Sequence, residues 1–182
     1  MKAFDLTVAT TGLNKKTASA SELDFDSVIL TPASHATYYP GAHTMTMKVL
    51  FEKPSGKILG AQIIGHEGVD KRIDVLAVAI NANMTAEDLT EIDLAYAPPY
   101  ASAKDPVNMA GYVIENILES TMKQIHWDEA LGIASTNTKA VILDTRTQAE
   151  FNRGHIEGTC NPILHIPVDE LRSRLSEIPS DK

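Results

Sequence analysis

The run "TMTMKVLFEKPSGKILGAQIIG" (residues 44–65) constrains the fold more than any other stretch. Two segments rich in β-branched and long apolar residues flank "EKPSG", where Pro54 and Gly56 supply turn chemistry. That is a β-hairpin. It is followed at once by "VDKRIDVLAVAINANM", in which Val69, Ile73, Leu76 and Ile80 recur three or four residues apart. This spacing predicts an amphipathic helix with one face against a sheet. A hairpin feeding directly into such a helix points to an α+β architecture.

The flanking sequence extends that reading. "AFDLTVATTG" alternates Phe4, Leu6 and Val8 with Asp5 and Thr7, as a strand ending near Gly12 does. "LNKKTASASEL" reads as a short helix capped by Asn14, and "DSVILTP" as a strand stopped at Pro32. "TAED" offers a capping box between Thr85 and Asp88. In "KDPVNMAGYVIENILES", Asp105 is the expected N-cap and Pro106 the first helical residue. Val107, Ala110, Ile114 and Ile117 form the expected buried face of that helix. The expected first domain, 1–120, is a mainly antiparallel sheet with helices on one face.

Beyond Ser120 the pattern changes. Residues 121–139 read as a polar connector with room for one short helix. Residues 140–182 read as strand, helix, loop and helix: "AVILDTR", "TQAEFNRGHIEG", then "VDELRSRLSEI" with Val168, Leu171 and Leu175 on one face. This is an α/β opening with no later strand expected to complete its sheet.

Charge and composition exclude several roles. Sixteen basic residues against twenty-four acidic ones give a net charge of −8. That argues against general binding to nucleic acid or to an anionic membrane. No apolar run is long enough to span a bilayer, and the first residues lack a signal-peptide core. With Cys160 as the single cysteine, a cytoplasmic location is expected.

Few residues suggest a catalytic centre inside the chain. No glycine-rich phosphate loop is present. His35, His43 and His66 lie on separate elements without the spacing of a helical metal-ligand pair. Cys160 with His155 or His165 could form a nucleophile–base pair, but a small residue on a loop beside two exposed histidines is the reading preferred here. Lys71 and Arg72 fall at the start of a helix, where positive charge is mildly unfavourable. They read as a solvated face pairing with Asp70 and Asp74, or as a contact with a partner subunit. The unusual stretch is "LAYAPPYASAKDPVNMAGYV" (residues 94–113). Tyr96 and Tyr100 bracket the rigid corner Pro98-Pro99, an arrangement suited to holding an aromatic group in a fixed place.

"YYPG", "DKRIDV", "YAPP" and "KDPVNM", in that order within residues 2–118, resemble the C-terminal dimerisation domain of FAD-dependent pyridine nucleotide-disulfide oxidoreductases. The likeness is to the branch of coenzyme A-disulfide reductases, NADH oxidases and persulfide reductases. "VILDTRTQAEFNRGHIEG…IPVDELRSRL" resembles the first half of a rhodanese domain, which some members of the branch carry there. There Asp144 and Arg146 match the family's DxR element, and Glu150 and His155 match its next two motifs. Cys160 does not match its nucleophile.

The resemblance implies a parent enzyme that uses FAD and NAD(P)H, both held N-terminal to this region along with its redox-active cysteine. It implies a homodimer through the first domain. Coenzyme A disulfide, persulfide, polysulfide and oxygen are all substrates within the branch. It further implies that Tyr38 and Tyr96 reach into the partner's active site as catalytic groups, with Tyr39, Tyr100, Pro98, Pro99, Lys71 and Arg72 as interface or substrate contacts. The chain alone is expected to bind neither cofactor and to have no reductase or sulfurtransferase activity. Two alternatives without catalysis remain: a stand-alone dimerisation module, and a binding module for coenzyme A or persulfide carriers.

Overall fold

The computed structural model describes residues 1–179, so the last residues of the expected 140–182 segment lie outside the described part. The chain divides into a unit spanning Met1–Lys123 and a second unit that starts at Gln124.

The first unit is built on one five-stranded sheet. Its strands are β1 (Lys2–Ala3), β2 (Leu6–Gly12), β3 (Phe25–Leu30), β4 (Met45–Glu52) and β5 (Ile58–Gly65). They lie in the order β1-β2-β5-β4-β3, and every neighbouring pair is antiparallel. The hairpin read from residues 44–65 is β4–β5. Its register runs from Met45 opposite Gly65 to Leu50 opposite Gly60, with an irregularity before Phe51.

The helices are α1 (Lys15–Ala20), α2 (Val69–Asn81), α3 (Ala86–Glu91) and α4 (Pro106–Leu118). Their starts follow from local chemistry. Asn14, Thr85 and Asp105 each accept a backbone N–H and each completes a capping box. Pro106 fills the first turn of α4, where its missing N–H costs nothing. The main core joins Val28, Met47, Val49, Phe51, Ile58 and Ile63 of the sheet to Ile73 and Leu76 of α2, Leu89 of α3, and Val107, Ala110 and Ile114 of α4. All of these are buried. Burial of this kind contributes about 25 cal/mol for each Å² of apolar surface removed from water.

Two expectations fail here. Phe4 does not belong to a strand: the chain turns at Phe4 and Asp5, with Phe4 at φ 55° and its ring exposed. The alternating pattern therefore splits into β1 and β2, paired by Lys2 with Thr7 and Ala3 with Leu6. Arg72, read as part of a solvated face, is instead 1% exposed.

The second unit is thinner. It holds α5 (Trp127–Thr136), β6 (Leu143–Asp144), α6 (Gln148–Arg153), β7 (Leu164–His165), α7 (Val168–Leu171) and a 3-10 turn at Leu175–Glu177. Strand β7 was not expected. It pairs in parallel with β6, Leu143 opposite Leu164 and Asp144 opposite His165. The stretch that forms it, from Ile163 to Ile166, is only four residues long, is interrupted by His165, and has prolines on both sides. The single amphipathic helix expected after Pro167 is broken into α7 and the 3-10 turn. Of the expected inner face of Val168, Leu171 and Leu175, Val168 and Leu175 are exposed and Leu171 is half-buried. What holds this stretch is polar: Arg174 bonds Glu170 at 2.8 Å and Glu177 at 2.6 and 2.8 Å. Residues 127–136 of the expected connector form α5, with Ala134 buried.

Candidate functional site

Two loops of the first unit carry four exposed tyrosines. The first lies between β3 and β4 and holds Tyr38 and Tyr39; the second lies between α3 and α4 and holds Tyr96 and Tyr100. The second loop is shaped by its prolines. The Tyr100 N–H closes a turn onto the Ala97 carbonyl at 2.8 Å, with Pro98 and Pro99 at its two central positions. Proline fixes φ, so this turn has little backbone freedom. The loops are joined directly, the Ala36 N–H donating to the Ala101 carbonyl at 3.2 Å.

Their meeting point is a pair of phenols. The hydroxyls of Tyr38 and Tyr96 lie 2.9 Å apart, and either can donate. Tyr38 is 74% exposed and Tyr96 48% exposed. The bond to Tyr96 holds the Tyr38 phenol above its ordinary pKa, with partial desolvation and charge repulsion adding to the effect. Tyr38 therefore stays protonated at neutral pH. Two hydroxyls carry two hydrogens, and their mutual bond uses one. The other remains available to an incoming acceptor, and its donor is strengthened by the bond behind it.

Beneath the loops lies a buried ionic cluster. Arg72 forks onto Asp105, Nε to Oδ1 at 3.3 Å and Nη2 to Oδ2 at 3.0 Å. The same Nη2 faces the carbonyls of Ser34 at 2.9 Å and Tyr100 at 3.4 Å, while Nη1 bonds the Gly68 carbonyl at 3.2 Å. Asp105 also accepts the Val107 N–H at the head of α4. Lys71 reaches the Ala95 carbonyl at 3.3 Å and Asp105 Oδ2 at 3.7 Å. Gly68 makes the approach possible: its φ is 73°, and a Cβ there would collide with the Arg72 guanidinium.

These contacts correct three expectations. Lys71 and Arg72 pair with Asp105, not with Asp70 or Asp74. Arg72 is buried, so it presents no surface to a partner. Asp105 does more than cap a helix. Sequence reasoning missed this cluster because Asp105 was fully explained as an N-cap. The available signal was the misplaced charge, since two cations in the first turns of α2 need a carboxylate from elsewhere.

The other candidates separate. The rings of His43 and His66 approach to 5.2 Å, while His35 is buried edge-on against Tyr39 at 5.8 Å. Among the described residues, no group of three or more metal-ligating side chains converges. In the second unit, the rings of His155 and His165 both stack on Phe151, at 4.1 and 4.2 Å. The Cys160 thiol turns instead to the Ser135 carbonyl at 3.0 Å. Asp144 and Arg146 form a second, exposed fork, with Nη2 to Oδ2 at 2.6 Å and Nη2 also bonding the Gly154 carbonyl. Arg146 holds the Asp144 carboxyl down to about 2. A cavity of about 600 Å³ opens beside it, lined by Leu143, Asp144, Arg146 and His155 among others.

Neither unit fits a dinucleotide. The first sheet is antiparallel throughout and offers no crevice between parallel strands. The second has a strand–helix–strand crossover, but the turn after β6 is "DTR", closed by the Asp144–Arg146 fork, without glycines to admit a phosphate.

Comparison with known proteins agrees with this architecture. Residues 1–106 match the family described as the pyridine nucleotide-disulphide oxidoreductase dimerisation domain. A coenzyme A disulfide reductase of Staphylococcus epidermidis is 45% identical over 112 residues, covering 62% of this chain and 25% of that protein. The crystal structure of reduced Bacillus anthracis CoADR-RHD superposes with a TM-score of 0.92 at 48% identity, covering all of this chain and 31% of that one. A NAD-dependent persulfide reductase from A. fulgidus superposes with a TM-score of 0.85 at 40% identity, with the same coverage. The chain thus spans about a quarter to a third of the length of these relatives. With more than half of its length matched by that family, and with the antiparallel sheet and helices on the page, the chain belongs to the pyridine nucleotide-disulphide oxidoreductase dimerisation domain family.

Proposed function

We propose that this chain is the C-terminal part of a disulfide or persulfide oxidoreductase similar to coenzyme A-disulfide reductase, one that uses FAD and NAD(P)H. The first unit forms the homodimer interface and presents Tyr38 and Tyr96 to the partner's active site. The observation that carries this reading is the exposed phenol pair, 2.9 Å apart, on two loops of a dimerisation domain. Aromatic residues left this open to solvent suit a surface that another subunit covers. FAD and NAD(P)H belong to other domains of the parent enzyme, which acts in the cytoplasm. Among the described residues no helix is long and apolar enough to cross a membrane.

The chemistry offered by this chain is hydrogen-bond donation. As the sulfur–sulfur bond of a coenzyme A disulfide, persulfide or polysulfide breaks, negative charge gathers on the departing sulfur. The free hydrogen of the Tyr38–Tyr96 pair is placed to meet it. The stiff Pro98-Pro99 turn lowers the ordering that Tyr96 needs on substrate binding. Tyr39, Tyr100, Pro98 and Pro99 surround the pair as substrate or interface contacts. The second unit is the opening half of a rhodanese-like domain, and its presence favours persulfide or polysulfide among these substrates.

The test is Tyr96→Phe in the complete flavoenzyme. A drop in kcat of about tenfold or more for disulfide or persulfide reduction is expected. Unchanged turnover would overturn the assignment.

A further inference from the structure

We infer that Arg72, held by Asp105 and assisted by Lys71, is a positioning residue that sets the distance between the Tyr38 and Tyr96 hydroxyls. The inference rests on the proposed role of that pair. The geometry is specific. Tyr38 stands four residues after Ser34, whose carbonyl Arg72 binds at 2.9 Å. Tyr96 follows Ala95, whose carbonyl Lys71 binds at 3.3 Å. Tyr100, at the far end of the proline turn, gives its carbonyl to the same Arg72 nitrogen. Adjacent residues of one helix therefore hold both tyrosine loops by their backbones, without touching either phenol.

The fork explains why this residue is arginine. Asp105 Oδ1 and Oδ2 take Nε and Nη2 in a planar bidentate contact, which fixes the guanidinium before it reaches the carbonyls. A lysine there would keep the charge but lose the plane. Gly68 leaves room for the group, since a Cβ there would collide with Nη1. Helix α2 is packed in the main core through Ile73 and Leu76, so the loops are referenced to the rigid part of the fold rather than to each other alone.

The experiment uses the full 182-residue chain, labelled at the ζ carbon of tyrosine and titrated by NMR, with the Tyr38 signal assigned through Tyr38→Phe. In the native chain Tyr38 should titrate above the ordinary phenol value. In Lys71→Met, at a half-exposed position, and in Arg72→Lys, the Tyr38 midpoint should fall back toward that value while circular dichroism stays native. In the complete flavoenzyme the same variants should lose about tenfold in kcat with KM within about twofold, and should lose nothing more when combined with Tyr96→Phe. A native Tyr38 midpoint in folded Arg72→Lys overturns the inference; if Arg72→Lys does not fold, a native midpoint in the folded Lys71→Met chain overturns it. If the midpoint moves but Tyr96→Phe retains full turnover, the positioning stands and the catalytic reading of the pair falls.

Discussion

The described residues contain two arginine–aspartate forks, one in each unit, and they differ mainly in where water is. Arg72 and Asp105 are 1% and 3% exposed at their side chains; Arg146 and Asp144 are 47% and 11% exposed. The contact chemistry is the same, and the exposed fork is even the shorter one, 2.6 Å against 3.0 Å. Yet only the buried fork joins several elements: α2, the head of α4 and both tyrosine loops. The exposed fork closes one local turn and reaches one further carbonyl, at Gly154. Short distance is thus a poor guide to consequence. What matters is which groups would be left buried and unpaired if one partner left.

The sharpest way to break this comparison is to remove one arginine at a time. Arg72→Met leaves Asp105 buried without its partner and should cost the first unit about 3–5 kcal/mol. Arg146→Gln should lower the second unit's transition only slightly, because water can replace the lost bonds. The chain supplies its own reporters: all five tyrosines lie before Lys123, and the one tryptophan, Trp127, lies after it. Tyrosine near-ultraviolet dichroism and tryptophan fluorescence therefore follow the two units separately. Equal losses in the two variants would end the distinction. A smaller step on the buried side is Gly68→Ala, which forces a left-handed φ on a side chain and crowds the guanidinium. It should cost about 1–2 kcal/mol, read from the same tyrosine signal.

The smallest expected effect is the pH response of the exposed fork. Asp144 has a folded pKa of about 2 against an ordinary 3.8. A carboxyl depressed on folding stabilises above its unfolded value, and that stabilisation is lost as pH falls through the folded one. Tryptophan-detected stability of the second unit should therefore decline between about pH 4 and about pH 2. Asp144→Asn should remove that part of the decline. A native slope in Asp144→Asn would place the effect elsewhere.

The same contrast separates what was legible in the sequence from what was not. The β4–β5 hairpin, the caps at Asn14, Thr85 and Asp105 and the apolar faces of α2 and α4 are local patterns, and the structure has them. Tyr38 and Tyr96, suggested together only through a family resemblance, are brought together across 58 residues of chain. Arg72 was misread because its partner is 33 residues away and already had a local role. Phe4 was misread because alternation cannot reveal that a turn interrupts it. Strand β7 was missed because it is two residues long and is defined by the strand it pairs with.

The buried fork also bears on how the first unit folds and unfolds. Its bonds close three stretches of chain at once, 33 residues to Asp105, 38 to Ser34 and 28 to Tyr100. Each closure carries an entropic cost before any contact repays it, so the guanidinium can settle only after α2 and α4 have docked. An interaction that closes such long stretches is expected to form after the transition state, a φ-value near zero for Arg72→Lys being the check. Its loss would then leave the folding rate nearly untouched and appear as faster unfolding. The residue that aims the tyrosines would, by the same bonds, set how long the domain stays closed.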